Sequence, residues 1–100
     1  MKVRYSRRAT NDLSSIRDYL RARSPAGAVN VLTAIYAAVE FIRRNSHAAE
    51  RTTISGVNAK TVTKYRFKVF YRVLESEDVV EIVHVRHTSR RPWAGDEEES

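Results

Sequence analysis

The chain has 100 residues, 18 of them lysine or arginine against 12 aspartate or glutamate, for a net charge of +6. It has no cysteine, which excludes a disulfide framework, a thiolate zinc site and a cysteine nucleophile. A chain of this length buries one core and no more, so one domain is expected over 1–93, with 94–100 as an acidic tail.

Lys2 to Tyr5 reads as a short strand with Val3 and Tyr5 on one face. Ser6 offers a hydroxyl cap to a first helix running to about Arg23, whose apolar stripe is Ala9, Leu13, Ile16 and Leu20. Ser24-Pro25 marks a boundary, because proline disfavours helical geometry just before it and suits the first position of a new helix. That second helix is expected from Pro25 to about Arg44, burying Ala28, Val31, Leu32, Ile35, Val39 and Ile42. It is apolar almost all round, so Ala34, Tyr36, Ala38 and Phe41 also need cover, from the rest of the fold or from a partner.

Residues 45–59 lack periodicity and read as a long loop, with a short extended piece at 52–54. From Lys60 the period changes to two. Strands are expected over 60–64, 67–74 and 79–86, joined by Tyr65-Arg66 and by Glu75 to Asp78, connections short enough to force antiparallel neighbours. The order is βααβββ: an α+β fold with a two-helix hairpin on one face of a four-stranded, mainly antiparallel sheet. In the middle strand Phe67, Val69, Tyr71 and Val73 alternate with Lys68, Phe70, Arg72 and Leu74. Strict alternation in the last strand groups Val80, Ile82, His84 and Arg86 against Val79, Glu81, Val83 and Val85. The mixed sets holding Lys68, Arg72, His84 and Arg86 suit a solvated or functional face.

Charge narrows the partners. Asp96, Glu97, Glu98 and Glu99 account for four of the twelve acids, leaving residues 1–95 with 18 basic and 8 acidic side chains, or +10. Such a body attracts polyanions, acidic protein segments or nucleoprotein, and the terminal acids read as a disordered, solvating end. No secretory h-region is visible at MKVRYSRRAT and no run approaches the roughly 20 apolar residues of a membrane span. A cytoplasmic location is therefore expected, with no membrane partner, no cofactor and no metal. His84 and His87, three apart in a strand, point to opposite faces and make a poor metal pair.

The densest chemistry lies at the end, where Arg86, His87, Arg90, Arg91 and Trp93 follow a strand terminus. Arginine brings a permanent charge and a bidentate fork, tryptophan a stacking face or a lid for the core. For RNA cleavage, His87 with Arg72, Arg86 and Arg90 makes a candidate set of acid, base and phosphate cations. No convincing carboxylate accompanies them, Glu81 being the nearest in the strand. The chemistry alone therefore favours contact over catalysis.

Several dispersed stretches resemble ParE-type toxins of the ParE/RelE superfamily. They are Arg4-Tyr5-Ser6 with Ala9, Asp12-Leu13, Ile16 and Tyr19; Pro25 and Ala28; the run Tyr65 to Val73; and Ile82 through Val85-Arg86-His87 to Arg90 and Pro92. The resemblance covers residues 2 to 92. It implies the toxin of a type II toxin-antitoxin pair, poisoning DNA gyrase and neutralised by a ParD-like antitoxin. Such an antitoxin has a ribbon-helix-helix N-terminal part that binds operator DNA, so the toxin meets DNA only indirectly. The alternative it implies is RelE-like cleavage of mRNA on the ribosome, where Arg86 stands as a RelE-like basic residue but no tyrosine follows it. The expected target-binding residues are Arg86, His87, Arg90, Arg91 and Trp93. The expected antitoxin contacts are Leu13, Tyr19, Tyr36, Phe41, Phe70 and Arg72.

Overall fold

Two serines organise the helical half of the computed structural model, which describes residues 1–47 and 50–89, with only the backbone of Glu50 and Arg51. Ser6 Oγ accepts from the amide of Ala9 at 3.0 Å and starts α1, Arg7–Arg23. Ser24 Oγ accepts from Gly27 at 3.1 Å and starts α2, Pro25–Arg44, with Pro25 in the first turn. Each cap satisfies an amide that the helix cannot pair for itself. Arg21 and Arg23 close α1, and Arg43 and Arg44 close α2, where their charge complements the helix dipole.

The strands are β1 (Lys2–Tyr5), β2 (Glu50–Arg51), β3 (Asn58–Val62), β4 (Phe67–Leu74) and β5 (Val79–His87). They form one sheet in the order β1-β5-β4-β3-β2, antiparallel throughout except for β1 on β5. Four of them are the expected strands, in the expected α+β arrangement. The two-residue β2 adds an edge and takes the place of the extended piece expected at 52–54, where the chain instead turns. β3 begins at Asn58 and ends at Val62, because Thr63 to Tyr65 wind into a 3-10 turn. Glu75 to Glu77 make the same turn before β5. Each turn ends on a residue in the left-handed region, Arg66 at φ 59° and Asp78 at φ 55°. Such a residue reverses the chain within one step.

The core lies between the helix pair and one sheet face. Ala9 and Leu13 of α1, with Val31, Ile35, Ala38, Val39 and Ile42 of α2, meet Phe67, Val69, Tyr71, Val80, Ile82 and Val85. Leu32, expected among the buried residues of α2, is only partly covered, and Ala38 is buried in addition. By length and composition α2 would pass for a membrane span. Its inner stripe is instead packed on the sheet, as the core helix of an α+β domain requires.

A second, smaller core forms on the opposite face, where Val57, Ala59 and Phe70 pack with Ile54 and Val83. It is closed by the 52–57 turn, in which Thr52 Oγ1 donates to the carbonyl of Val57 at 2.8 Å. Phe70 is therefore a core residue on this face, although its strand neighbours Lys68 and Arg72 are not buried.

Two outcomes are expected. Leu13→Ala should cost about 2 to 5 kcal/mol in chemical denaturation, the range for truncating a buried leucine, and a loss under about 0.5 kcal/mol would contradict the placement of α1. Burial also raises the phenol pKa of Tyr71 above 10.0. The folded state then favours the protonated form, so this stabilisation is complete below the unfolded pKa and is lost as pH climbs past 10. Tyr71→Phe should flatten that alkaline loss of stability in pH-dependent denaturation.

Candidate functional site

The site grows from the place where β5 outruns its neighbour. β1 accompanies β5 only as far as the pair Tyr5–Ile82, after which the chain turns into α1. Beyond that point a lone edge of β5 would expose backbone groups to a partly buried setting. Side chains of α1 take over from the missing strand. Ser6 Oγ, already capping the helix, donates to the carbonyl of Val83 at 3.1 Å. Asp12 Oδ2 accepts from the amide of Val85 at 2.9 Å and lies 2.6 Å from Nδ1 of His84. An ionised carboxylate can only accept, so Nδ1 carries the proton. Arg8 Nε also stands 3.1 Å from Nδ1, but a nitrogen whose proton goes to Asp12 has no lone pair left for a second donor.

This clamp holds a bulge. Tyr71 pairs with Ile82 and Phe70 with His84, so two steps of β5 oppose one step of β4 and Val83 is the extra residue. The alternation of β5 therefore shifts by one. Val80 and Ile82 face the helices, and past the bulge Val85 and His87 do so, while His84 and Arg86 face the other way. Strict alternation, which grouped Val80, Ile82, His84 and Arg86 together, fails at this residue. His84 also departs from the solvated role expected of it. It is 3% exposed, roughly parallel to the ring of Phe70 at 5.8 Å and tied to Asp12.

Two surfaces result. On the helix side, α1 and the end of β5 bound a groove of about 850 Å³. Ile16, Tyr19, Leu20, Val31, Phe67 and Val85 give it an apolar lining, and Arg86, His87 and Ser89 stand at its rim. The ring of His87 meets Phe67 edge-on at 5.2 Å, and its Nδ1 is 2.6 Å from Ser89 Oγ. Arg23 lies 4.0 Å from the ring centroid of Tyr19, so a cation flanks the apolar floor. On the helix-free side, the cross-strand row Thr61, Lys68 and Arg86 runs beside the row Ala59, Phe70 and His84.

The residues expected to act together are divided by this geometry. Of the nuclease set, Arg72 belongs to the helix-free face of the sheet, while Arg86 and His87, neighbours on β5, both reach the rim of the groove. Arg90, with Arg91 and Trp93 of the expected target-binding group, lies outside the described residues. Of the expected antitoxin contacts, Tyr19 lines the groove. Leu13 is buried beneath α1, where it borders a second, smaller cleft of about 240 Å³ with Tyr36. Phe41 is 41% exposed under Lys60, whose Nζ sits 4.4 Å above its ring. Phe70 and Arg72 belong to the opposite face. Among the described residues no cluster of three His, Cys, Asp or Glu side chains could hold a metal. Asp12, which sequence reasoning used only as part of a resemblance, is the residue it missed. An acidic residue one step before the buried Leu13, and hence beside the helix's apolar stripe, was the available signal.

Comparison with solved structures identifies the fold as that of ParE and RelE toxins. A chain of the chromosomal ParDE TA system from P. aeruginosa superposes with a TM-score of 0.74 at 23% identity, over 87% of this chain and 95% of that one. A YoeB/ParE toxin from Agrobacterium tumefaciens gives 0.62 at 17% identity, over 87% and 98%. The intact E. coli RelBE toxin-antitoxin complex gives 0.57 at 13%, over 89% and 98%. No curated protein matches the sequence. The profile of the family described as the ParE toxin of type II toxin-antitoxin systems, parDE, matches residues 3–92, and the chain belongs to that family.

If Asp12 stands in for a strand, Asp12→Ala leaves the Val85 amide and the His84 N–H without their acceptor. A loss of about 1 to 3 kcal/mol is expected, with faster hydrogen exchange at Val85. Asp12→Asn, which keeps a carbonyl acceptor, should lose less. Unchanged exchange at Val85 in the alanine variant would contradict the role.

Proposed function

We propose that this ParE-family chain stops growth by binding and poisoning DNA gyrase in the cytoplasm, acting by contact and not by catalysis. In this reading a ParD-like antitoxin, dimeric through a ribbon-helix-helix part, neutralises it by laying a C-terminal segment in the groove. The observation that carries the proposal is the groove itself, an apolar channel edged by Arg23 and Arg86 on a chain whose family is that of parDE toxins. An amphipathic segment with acidic flanks complements such a channel in both shape and charge. By the alternation past the bulge, the Val85 carbonyl and His87 amide project toward the same edge and favour an extended stretch there. Contact with the target is assigned to the end of β5 and beyond, through Arg86, His87, Arg90, Arg91 and Trp93.

Of the expected set, Arg72 lies on the helix-free face, away from the groove that Arg86 and His87 share. A general base must reach the proton it removes while cations hold the phosphate, and Arg72 is not placed to join them on one substrate, which supports contact over cleavage. The His87 ring is also engaged by Phe67 and Ser89.

Purified chain should inhibit gyrase supercoiling and leave ribosome-bound mRNA intact. Joint replacement of Arg86, Arg90 and Arg91 by alanine should abolish growth inhibition, while His87→Ala should largely retain it, since a lost rim contact weighs far less than the roughly 10²- to 10⁴-fold of a lost acid or base. Tyr19→Glu, at a position 58% exposed, should break the antitoxin complex in size-exclusion chromatography and leave growth inhibition in place. Loss of toxicity in His87→Ala alone, with wild-type chain cutting mRNA, would overturn the proposal in favour of the nuclease.

A further inference from the structure

The outer face of α2 is left uncovered by the fold. Of the residues that needed cover, Ala38 is buried and Ala34 partly so, while Tyr36 stays 48% exposed and Val29, two turns earlier, 63%. Only 33% of the helix's most apolar stretch is buried. Val29, Thr33, Tyr36, Ala37 and Glu40 recur at helical spacing along this outward stripe, and from Pro25 to Val39 the helix carries no charge at all. A solvent-facing stripe is ordinarily where a helix keeps its charged residues. Beside the stripe, Tyr36 borders the cleft of about 240 Å³ between the two helices, which Leu13, Arg17 and Leu32 also line.

We propose that this face binds a second copy of the chain, as a twofold dimer in which the two α2 helices cross antiparallel near Thr33. Shape is the first argument. A twofold contact sets one patch against itself, and this patch holds both an exposed ring, Tyr36, and a neighbouring cleft with room for one side chain. With the axis near Thr33, Tyr36 of each copy comes over Leu32 and the cleft of the other. Charge is the second argument. Arg17 lines the cleft with Leu32, and Arg21 follows it by one turn toward the hairpin bend. Glu40 lies one turn beyond Tyr36, at the other end of the stripe. An antiparallel crossing therefore brings Glu40 of each copy to Arg21 of the other, whereas a parallel one would set Glu40 against Glu40. Glu40 already holds Arg43 and Arg44 of its own helix, and a carboxylate has acceptor sites for one more donor. The uncharged run keeps the cations of two basic bodies away from the centre of contact. From Ala26 to Glu40 the face is about 21 Å long and two packed helices are about 20 Å across, the small end of specific interfaces, which makes the dimer one of micromolar strength.

α1 separates this face from the groove, since Asp12, Ile16 and Tyr19 line the groove while Leu13 and Arg17 line the cleft. The dimer therefore carries two open grooves. If each groove receives an antitoxin segment, as proposed, the pair offers both sites to a dimeric antitoxin, whose second segment then binds at the raised effective concentration of a tethered ligand. The dimer itself requires nothing of the groove.

In sedimentation equilibrium the purified chain should pass from 11.5 kDa toward twice that mass across the micromolar range. Tyr36→Glu and, separately, Val29→Glu should hold it at the monomer mass with its circular dichroism unchanged, because both side chains are exposed. Arg21→Glu and Glu40→Arg should each raise the dissociation constant about tenfold, and the two together should restore it, since the swapped charges again meet across the interface. The chain has no cysteine, so Thr33→Cys supplies a single thiol near the axis. It should give a disulfide-linked dimer under mild oxidation, whereas Arg72→Cys, on the helix-free face, should not. A chain that stays monomeric up to hundreds of micromolar, or equal cross-linking of the two cysteine variants, overturns the proposal. Failure of the paired swap to restore association overturns the antiparallel arrangement. A monomer whose Thr33→Cys thiol is shielded only when antitoxin is bound overturns the dimer as well, and gives the face to that partner.

Discussion

The carboxylate of Asp12, bonded at once to a backbone amide and to an imidazole of β5, is the interaction on which the working end of this molecule depends. A strand that extends past its neighbour leaves amides and carbonyls without partners, and burying them unpaired costs more than most single contacts return. Here α1 crosses the gap with two side chains, Ser6 and Asp12, placed one and a half turns apart on the helix. The helix thus finishes the sheet. Packing of Ala9, Leu13 and Ile16 against the core brings these polar groups to the edge, so hydrophobic burial positions the clamp and the clamp orients β5.

A one-residue slip in a strand exchanges its faces, and the bulge at Val83 makes that slip once, at a defined place. Before it, alternation serves the core through Val80 and Ile82. After it, the same rule turns Val85 and His87 toward the helices, with Arg86 between them at the rim of the groove. Two surfaces of different character arise from adjacent residues: an apolar channel suited to an amphipathic segment, and a cationic sheet suited to anions.

Most of the fold was legible in the sequence, for physical reasons that can be named. Ser6 and Ser24-Pro25 are strong local signals because capping is a local interaction. The stripe from Ala9 to Leu20 and the period-two pattern from Phe67 to Leu74 report burial directly. What stayed hidden was non-local. The bulge depends on Asp12 and His84 meeting across 72 residues, and nothing in the run of β5 marks Val83 as its extra residue. The same blind spot made His84 look solvated. The loop before β3 was also misread in detail, because a two-residue edge strand has almost no pattern to detect. Family membership was legible through several weak motifs in order, and the match over residues 3–92 establishes it.

The register of β5 past Ile82 is the measurement that tests this account most directly. In a proton NOE experiment on the isolated chain, the ring of His87 should contact the ring of Phe67, and the ring of His84 should contact the ring of Phe70, with the Val85 amide protected from exchange. A continuous, unbulged strand would instead set Arg86 across from Phe67 on the helix side and carry the His87 side chain to the helix-free face opposite Arg66. That pattern would contradict the clamp, the division of the two surfaces and the functional assignments that rest on them.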